Sequence, residues 1–226
     1  MDKVKIIGDG NIVEFGENID NSGSSIRIQG QNNRLIIESE VLIRHSNISL
    51  KGDNIKFEIK KSAELTGCIV SMFTNTSFLV DEKTTMGNGE VTIAEEKSIT
   101  IGKDCMFAHG HEIRTSDMHP IYSIEDGGRL NGGLDVVIGD HVWLGKNVTI
   151  LKGAKIANNS VVAINSVVNN EHLEQNVIIA GMPAKVIKRD VLWGRKMYHK
   201  TMYDDPTLGE FIENYNSNAG KVKAGR

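Results

Sequence analysis

Between Ile138 and Val168 the chain repeats itself every six residues. Ile138, Leu144, Ile150, Ile156, Val162 and Val168 are all aliphatic, without exception. The residues that follow them, Gly139, Gly145, Leu151, Ala157, Ala163 and Asn169, are mostly small. Those four places after them, Val142, Val148, Ala154, Ser160, Ser166 and His172, are mostly small or short. A helix face needs apolar spacing of three and four, and a half-exposed strand needs spacing of two. Period six fits neither. It is the repeat of a parallel β-helix, in which each unit lays one flat strand on one face of a prism and turns one aliphatic inward.

Bulk properties narrow the classes. In 226 residues, 26 Lys plus Arg stand against 29 Asp plus Glu, a net charge of −3. That balance argues against a surface built to neutralise nucleic-acid phosphates. No apolar run reaches the length of a membrane span, and Met1 to Gly10 does not read as a signal peptide, so the expected location is the cytoplasm. Three prolines and 5% aromatic residues suit an interior filled by Ile, Val and Leu. Cys105 falls at a small-residue position of the repeat; with Cys68 the only other cysteine, both are expected to be free, and Cys105 buried.

Residues 1–100 are rich in Asn, Gly and Ile, with aliphatics recurring at six, seven or nine. They are expected to form irregular coils of the same β-helix rather than a separate small sandwich, because Asn and Gly tolerate sharp corners. A regular phase begins at Ile101-Gly102 and runs through Phe107-Ala108 and Ile113. It breaks over 114–137, a stretch that includes Glu125 to Arg129 and Asn131-Gly-Gly133, and resumes at Ile138. A break in a solenoid is a loop thrown off one corner, where function tends to sit. The β-helix is expected to span 1–188, closing with Val177 to Ala180 and the turn Gly181 to Lys185. A short helical appendage and tail are expected over 189–226. Leu192, Trp193, Lys196, Met197 and His199 would lie on one helix. Leu208, Phe211 and Ile212 would lie on another after Pro206, and Ser217 to Arg226 would be a disordered tail.

The inserted loop opens with Arg114-Thr-Ser-Asp-Met-His-Pro120. In an extended segment Asp117 and His119 lie on one side, and a carboxylate beside an imidazole can fix its tautomer and support it as a general base. A histidine in such a D-x-H is as readily an ordinary surface side chain. His109, His111 and His141 lie nearby, which raises a zinc site as an alternative. The H-x-x-x-x-H pair of β-helix carbon dioxide hydratases is missing, so no metal is expected.

The block Ile138-Gly-Asp-His-Val-Trp-Leu-Gly-Lys-Asn-Val-Thr-Ile150, with Ala163-x-Asn-Ser-Val-Val168, Ala180-Gly-Met-Pro-Ala-Lys185 and the Thr115 to Pro120 loop, resembles the left-handed β-helix, hexapeptide-repeat acyltransferases over about residues 101–190. The S-D-x-H-P-I-Y loop and V-W-L-G coil look most like the O-acetyltransferases of capsular polysaccharide and lipopolysaccharide, including those of sialic acid capsules. The left hand of the coil is implied by this resemblance alone.

The resemblance implies a homotrimer that moves acetyl from acetyl-CoA to a hydroxyl of a bacterial surface polysaccharide sugar by direct transfer. His119 would be the base, with Asp117 supporting it. Trp143 would stand beside the reacting thioester, and a backbone N–H of the Trp143–Gly145 strand would face the oxyanion. Lys146, Ala163, Ile164, Asn169 and Ala180 would line the cofactor groove between subunits, with Lys185 and Lys188 at the nucleotide phosphates. His109, where relatives often carry Asn, would contact the acceptor along with Arg114 and Tyr122. Two other functions remain open: N-acetylation of a nucleotide-linked amino sugar, and a non-catalytic β-helix that binds partners.

Overall fold

The computed structural model describes residues 4–196 and, beyond them, 201, 204, 205, 208, 209 and 213. Two compact units divide at Val191/Leu192. The first is an all-β parallel solenoid whose strands fall on three faces, each an eight-stranded sheet.

The first face stacks Val4–Ile7, Ser25–Gln29, Asn47–Lys51, Cys68–Phe73, Gly89–Ile93, His111–Arg114, Thr149–Ile150 and Val167–Val168. The second runs from Ile12–Phe15 through Arg34–Ile37, Lys56–Ile59, Ser77–Val80, Ser98–Ile101, Val136–Ile138 and Lys155–Ile156 to Glu171–His172. The third runs from Leu42–Arg44 through Glu64–Thr66, Thr85–Met86, Met106–Phe107, Trp143–Leu144 and Val161–Val162 to Ile178–Gly181. Ala184–Lys188 folds back antiparallel on that last strand, an added hairpin where a simple turn was expected.

The first hundred residues are as regular as the rest, contrary to expectation, but with a longer period. Ile26 pairs with Ile48 and Ile48 with Val70, a coil of 22 residues. Thr149 pairs with Val167, a coil of 18, which is three hexads. Width explains the difference. The strands Ser25–Gln29 and Arg34–Ile37 each turn two aliphatics inward, Ile26 with Ile28 and Leu35 with Ile37, all at most 2% exposed. The later two-residue strands turn in one apiece. Period-two alternation across a wide face erases the hexad while keeping the prism.

One continuous core fills the prism, from Ile26 to Ala184. Phe57 and Phe78 stack in register inside the second face, centroids 5.7 Å apart. Corners turn through left-handed backbone, and Asn is the commonest residue there after Gly: Asn32, Asn54 and Asn75 where the first face meets the second, and Asn147 and Asn165 where the third meets the first, with φ of 55–58°. Cys68 and Cys105 are free and buried, and burial pushes both thiols up to about 12.

Buried corner polar groups are bonded coil to coil. Asn33, fully buried, accepts from Ile55 N at 2.9 Å and donates to Gly52 O at 2.9 Å. Asn33→Leu would leave both backbone groups without a partner in a dry interior, at a cost of about 1–3 kcal/mol for each such group. The expected result is a clear drop in the urea midpoint with an unchanged slope.

The expected helical appendage is not seen as such: Val191–Lys196 is not helical, and of the residues described beyond it only Gly209 and Glu213 are α-helical. The chain leaves the last strand pair at Lys188, and no helical run starts before Met197. Met197, His199, Phe211, Ile212 and the tail from Ser217 lie outside the described residues. No helix among the described residues is long and apolar enough to cross a membrane.

Candidate active site

The inserted loop leaves the corner where the first face meets the second. Its base is set into the prism. Thr115 is fully buried, and its hydroxyl donates to Ala94 O at 3.0 Å and accepts from Ala94 N at 2.9 Å, filling the slot between coils. Leu134 N returns to Thr115 O at 3.0 Å, closing the loop. Between these ends the chain is a hairpin, with Leu130 N on Ile121 O and Ser123 N on Gly128 O, each 2.8 Å.

Four side chains fix that hairpin. Glu95, one coil below, accepts from Arg129 at 2.7 Å, from Gly133 N at 2.9 Å and from the Ser116 hydroxyl. Asn131, 9% exposed, donates to His119 O at 2.9 Å and to Asp117 Oδ2 at 2.8 Å while accepting from Ile121 N at 2.7 Å. Lys152, one coil above, donates to Asn131 O at 2.8 Å and pairs with Asp117. Ser116 Oγ accepts from Met118 N at 2.8 Å and so holds Met118 at φ 65°, a left-handed backbone that a long side chain rarely adopts. His119 follows at once, exposed, and its imidazole makes no hydrogen bond among the described residues.

The expected Asp117–His119 dyad is therefore absent. Asp117 faces Lys152 and Asn131, whose hydrogen bonds hold its carboxyl below the usual range. Glu95 is held at about 2, chiefly by Arg129 and Ser116. A carboxylate whose folded pKa is depressed stabilises above its unfolded pKa of about 4.3 and loses that contribution as pH falls toward the folded value. Hydrogen exchange over residues 116–134 is thus expected to stay slow down to about pH 4 and to accelerate as pH falls toward 2, ahead of the prism core.

The third face carries a different set. Trp143, 37% exposed, points off the prism while Leu144 points in. Lys146, then Ala163 and Ile164, then Ala180 follow on successive coils at the corner leading back to the first face. Gly145 N bonds Val162 O and Ala163 N bonds Ile179 O, both 2.8 Å, which puts them in one column. His109 is in the same column one coil lower, its carbonyl accepting from Asn147 N at 2.9 Å. Lys185 pairs in register with Ala180 at the top; it and Lys188 are exposed and without an ion pair among the described residues. Asn169 is the exception, at the loop's corner. The expected oxyanion donors are also spent: Trp143 N goes to Ser160 O at 2.9 Å and Gly145 N to Val162 O.

Of the acceptor candidates, Arg114 lies on the first face, bonded to Glu112, and Tyr122 is exposed on the hairpin opposite Arg129. The histidines do not converge. His111 turns inward, its Nδ1 3.1 Å from Ala108 O, and burial lowers its pKa; His141 sits at another corner, 2.8 Å from Asp104. Among the described residues no three metal-binding side chains come together.

Residues 135–170 match the bacterial transferase hexapeptide model of six repeats. The chain is 54% identical over 192 residues to a polysialic acid O-acetyltransferase of Neisseria meningitidis, covering 85% of this chain and 89% of that one. The chain belongs to the hexapeptide-repeat acetyltransferases. A polysialic acid O-acetyltransferase of Escherichia coli is 39% identical over 68% of this chain, which spans 49% of that protein's length. Among solved structures, the polysialic acid O-acetyltransferase OatWY superposes with a TM-score of 0.86 at 50% identity, over 91% of this chain and 99% of that one. NeuO, a polySia-specific acetyltransferase, reaches 0.88 at 32% identity, over 94% and 98%. Sequence reasoning missed Glu95, Asn131 and Lys152, the residues that hold this loop.

Proposed function

We propose that this acetyltransferase moves acetyl from acetyl-CoA to a hydroxyl of an acidic capsular polysaccharide of the polysialic acid kind, with His119 as general base. The 54% identity to a polysialic acid O-acetyltransferase carries the choice of acceptor. The chemistry is a direct transfer. The imidazole takes the hydroxyl proton, the oxygen attacks the thioester carbonyl, the C–S bond breaks, and the thiolate takes the proton back.

The active unit is a homotrimer in the cytoplasm. In a three-faced prism, the corner between the first and second faces lies opposite the third. His119 and Asn169 are at that corner, whereas Trp143, Lys146, Ala163, Ile164 and Ala180 line the third face and its edge. One subunit thus supplies two half-sites on opposite sides, and a neighbour brings them together. The hairpin's apolar rim favours this, with Ile121, Tyr122, Leu130 and Leu134 more than half exposed and Ile124 fully so. In the composite groove Lys185 and Lys188 meet the nucleotide phosphates, while His109, Arg114 and Tyr122 reach the acceptor.

The test is thiol release from acetyl-CoA with de-O-acetylated polysialic acid, with amino-sugar nucleotides, and with no acceptor, alongside light scattering for mass. Turnover on the polymer by a trimer supports the reading. Turnover on the amino sugar alone replaces it with N-acetylation, and binding without turnover replaces it with a non-catalytic role.

A further inference from the structure

The outward side of the first face carries a row of side chains in strict coil-to-coil register. Lys5 pairs with Arg27, Arg27 with Ser49, Ser49 with Ser71, Ser71 with Thr92, and Thr92 with Arg114. Beside it, Gln29 pairs with Lys51 and Lys51 with Phe73. At about 4.8 Å per coil, the row from Lys5 to Arg114 is roughly 24 Å long. It ends at the strand that becomes the His119 loop five residues later.

The cations at the lower end of this row are unpaired among the described residues, as Lys185 and Lys188 are at the top of the third face. Several cations elsewhere answer to carboxylates: Arg34 to Glu14, Lys60 to Glu38 and Glu58, Lys155 to Glu171, and Arg44 to Asp20. Lys5, Arg27 and Lys51 are exposed and have no ion pair among the described residues. The hydroxyls of Ser49, Ser71 and Thr92 continue the row upward and make no hydrogen bond among the described residues. The carboxylates on this face, Glu90 and Glu112, lie in a parallel row at its upper end, and Glu112 is occupied by Arg114. Cations free at one end and hydroxyls leading to the loop suit a long, flexible anion with regularly spaced charges and sugar hydroxyls.

We infer that the first face, from Lys5, Arg27 and Lys51 through Ser49, Ser71 and Thr92 to Arg114, is a track that holds the acidic polysaccharide chain and feeds it to His119. This rests on the acceptor reading above. The track holds sugar residues remote from the reacting one, so it acts on capture of long chains and leaves the chemical step alone. Exposed cations act through a screened field, so its contribution falls with salt.

The test compares wild type with the triple variant Lys5→Gln, Arg27→Gln, Lys51→Gln, which removes only exposed charge. Each is assayed on polysialic acid of long chain length and on a sialic acid trimer, at low and high salt. The expected result is a KM for the long polymer raised about tenfold at low salt, because three exposed, screened cations each add a modest share of the capture. The kcat is unchanged, the trimer KM is unchanged, and the difference shrinks at high salt. An unchanged long-chain KM, or an equal rise on polymer and trimer, overturns the track. Absence of wild-type turnover on both acceptors instead removes the acceptor reading. Sedimentation of wild type, and not the variant, with phosphatidylglycerol vesicles alongside an unchanged polymer KM would reassign the row to a membrane surface.

Discussion

Replacing His119 with alanine is expected to lower kcat for acetyl transfer by on the order of 10²–10⁴, the range a general base contributes. The KM for acetyl-CoA and the melting temperature should be close to wild type. The side chain is exposed and bonded to no described residue, so its removal opens no cavity and strands no partner. Asp117 provides the contrast. Were it the carboxylate that orients the imidazole, Asp117→Asn would act on His119 directly and shift the pH profile of kcat/KM. It instead bonds Asn131 and Lys152, so Asp117→Asn should keep the profile's shape and lower its height modestly. Wild-type turnover in His119→Ala would reject His119 as the base; a shifted profile in Asp117→Asn would restore the dyad.

The sequence exposed those parts of the molecule whose pattern is local. One inward aliphatic per face makes the hexad from Ile138 to Val168 visible, and Trp143, next to Leu144, had to point outward. The early coils hide the same prism because Ile26 with Ile28, and Leu35 with Ile37, put two inward residues on a face. A coil of 22 residues is then not a multiple of six. Partners one coil away in space were invisible for a related reason. Glu95 meets Arg129 across 34 residues, and Lys152 meets Asp117 across 35. Nothing local in Ala94-Glu95-Glu96 separates an anchor from a surface carboxylate. Asn131 stood in an Asn-Gly-Gly run that reads as a turn, and only its burial reveals the clamp. The Asp117–His119 pairing failed because two residues' spacing puts side chains on one side only in an extended strand, and the left-handed Met118 between them breaks that geometry.

Asn131→Ala is expected to lower kcat about a hundredfold although Asn131 touches no reacting group, since a displacement of about 1 Å at a reacting group costs this much. Its carboxamide grips the backbone on both sides of the base, donating to His119 O and accepting from Ile121 N, and ties both to Asp117. Alanine leaves the imidazole chemically intact but free to wander with the hairpin. Asn131→Asp separates the possible causes. It keeps an acceptor for Ile121 N, loses both donated bonds, and sets a second carboxylate beside Asp117, so it should be at least as damaging as alanine. Because the hairpin lies outside the continuous core, the melting temperature should fall little in either variant, while hydrogen exchange quickens over residues 117–134. The pH profile of kcat/KM should keep its shape, since the base is the same, and the KM for acetyl-CoA should hold. Full kcat in Asn131→Ala would show that the loop positions its histidine without the clamp. A collapse of the whole fold would make Asn131 a structural residue and remove it from the positioning of the base.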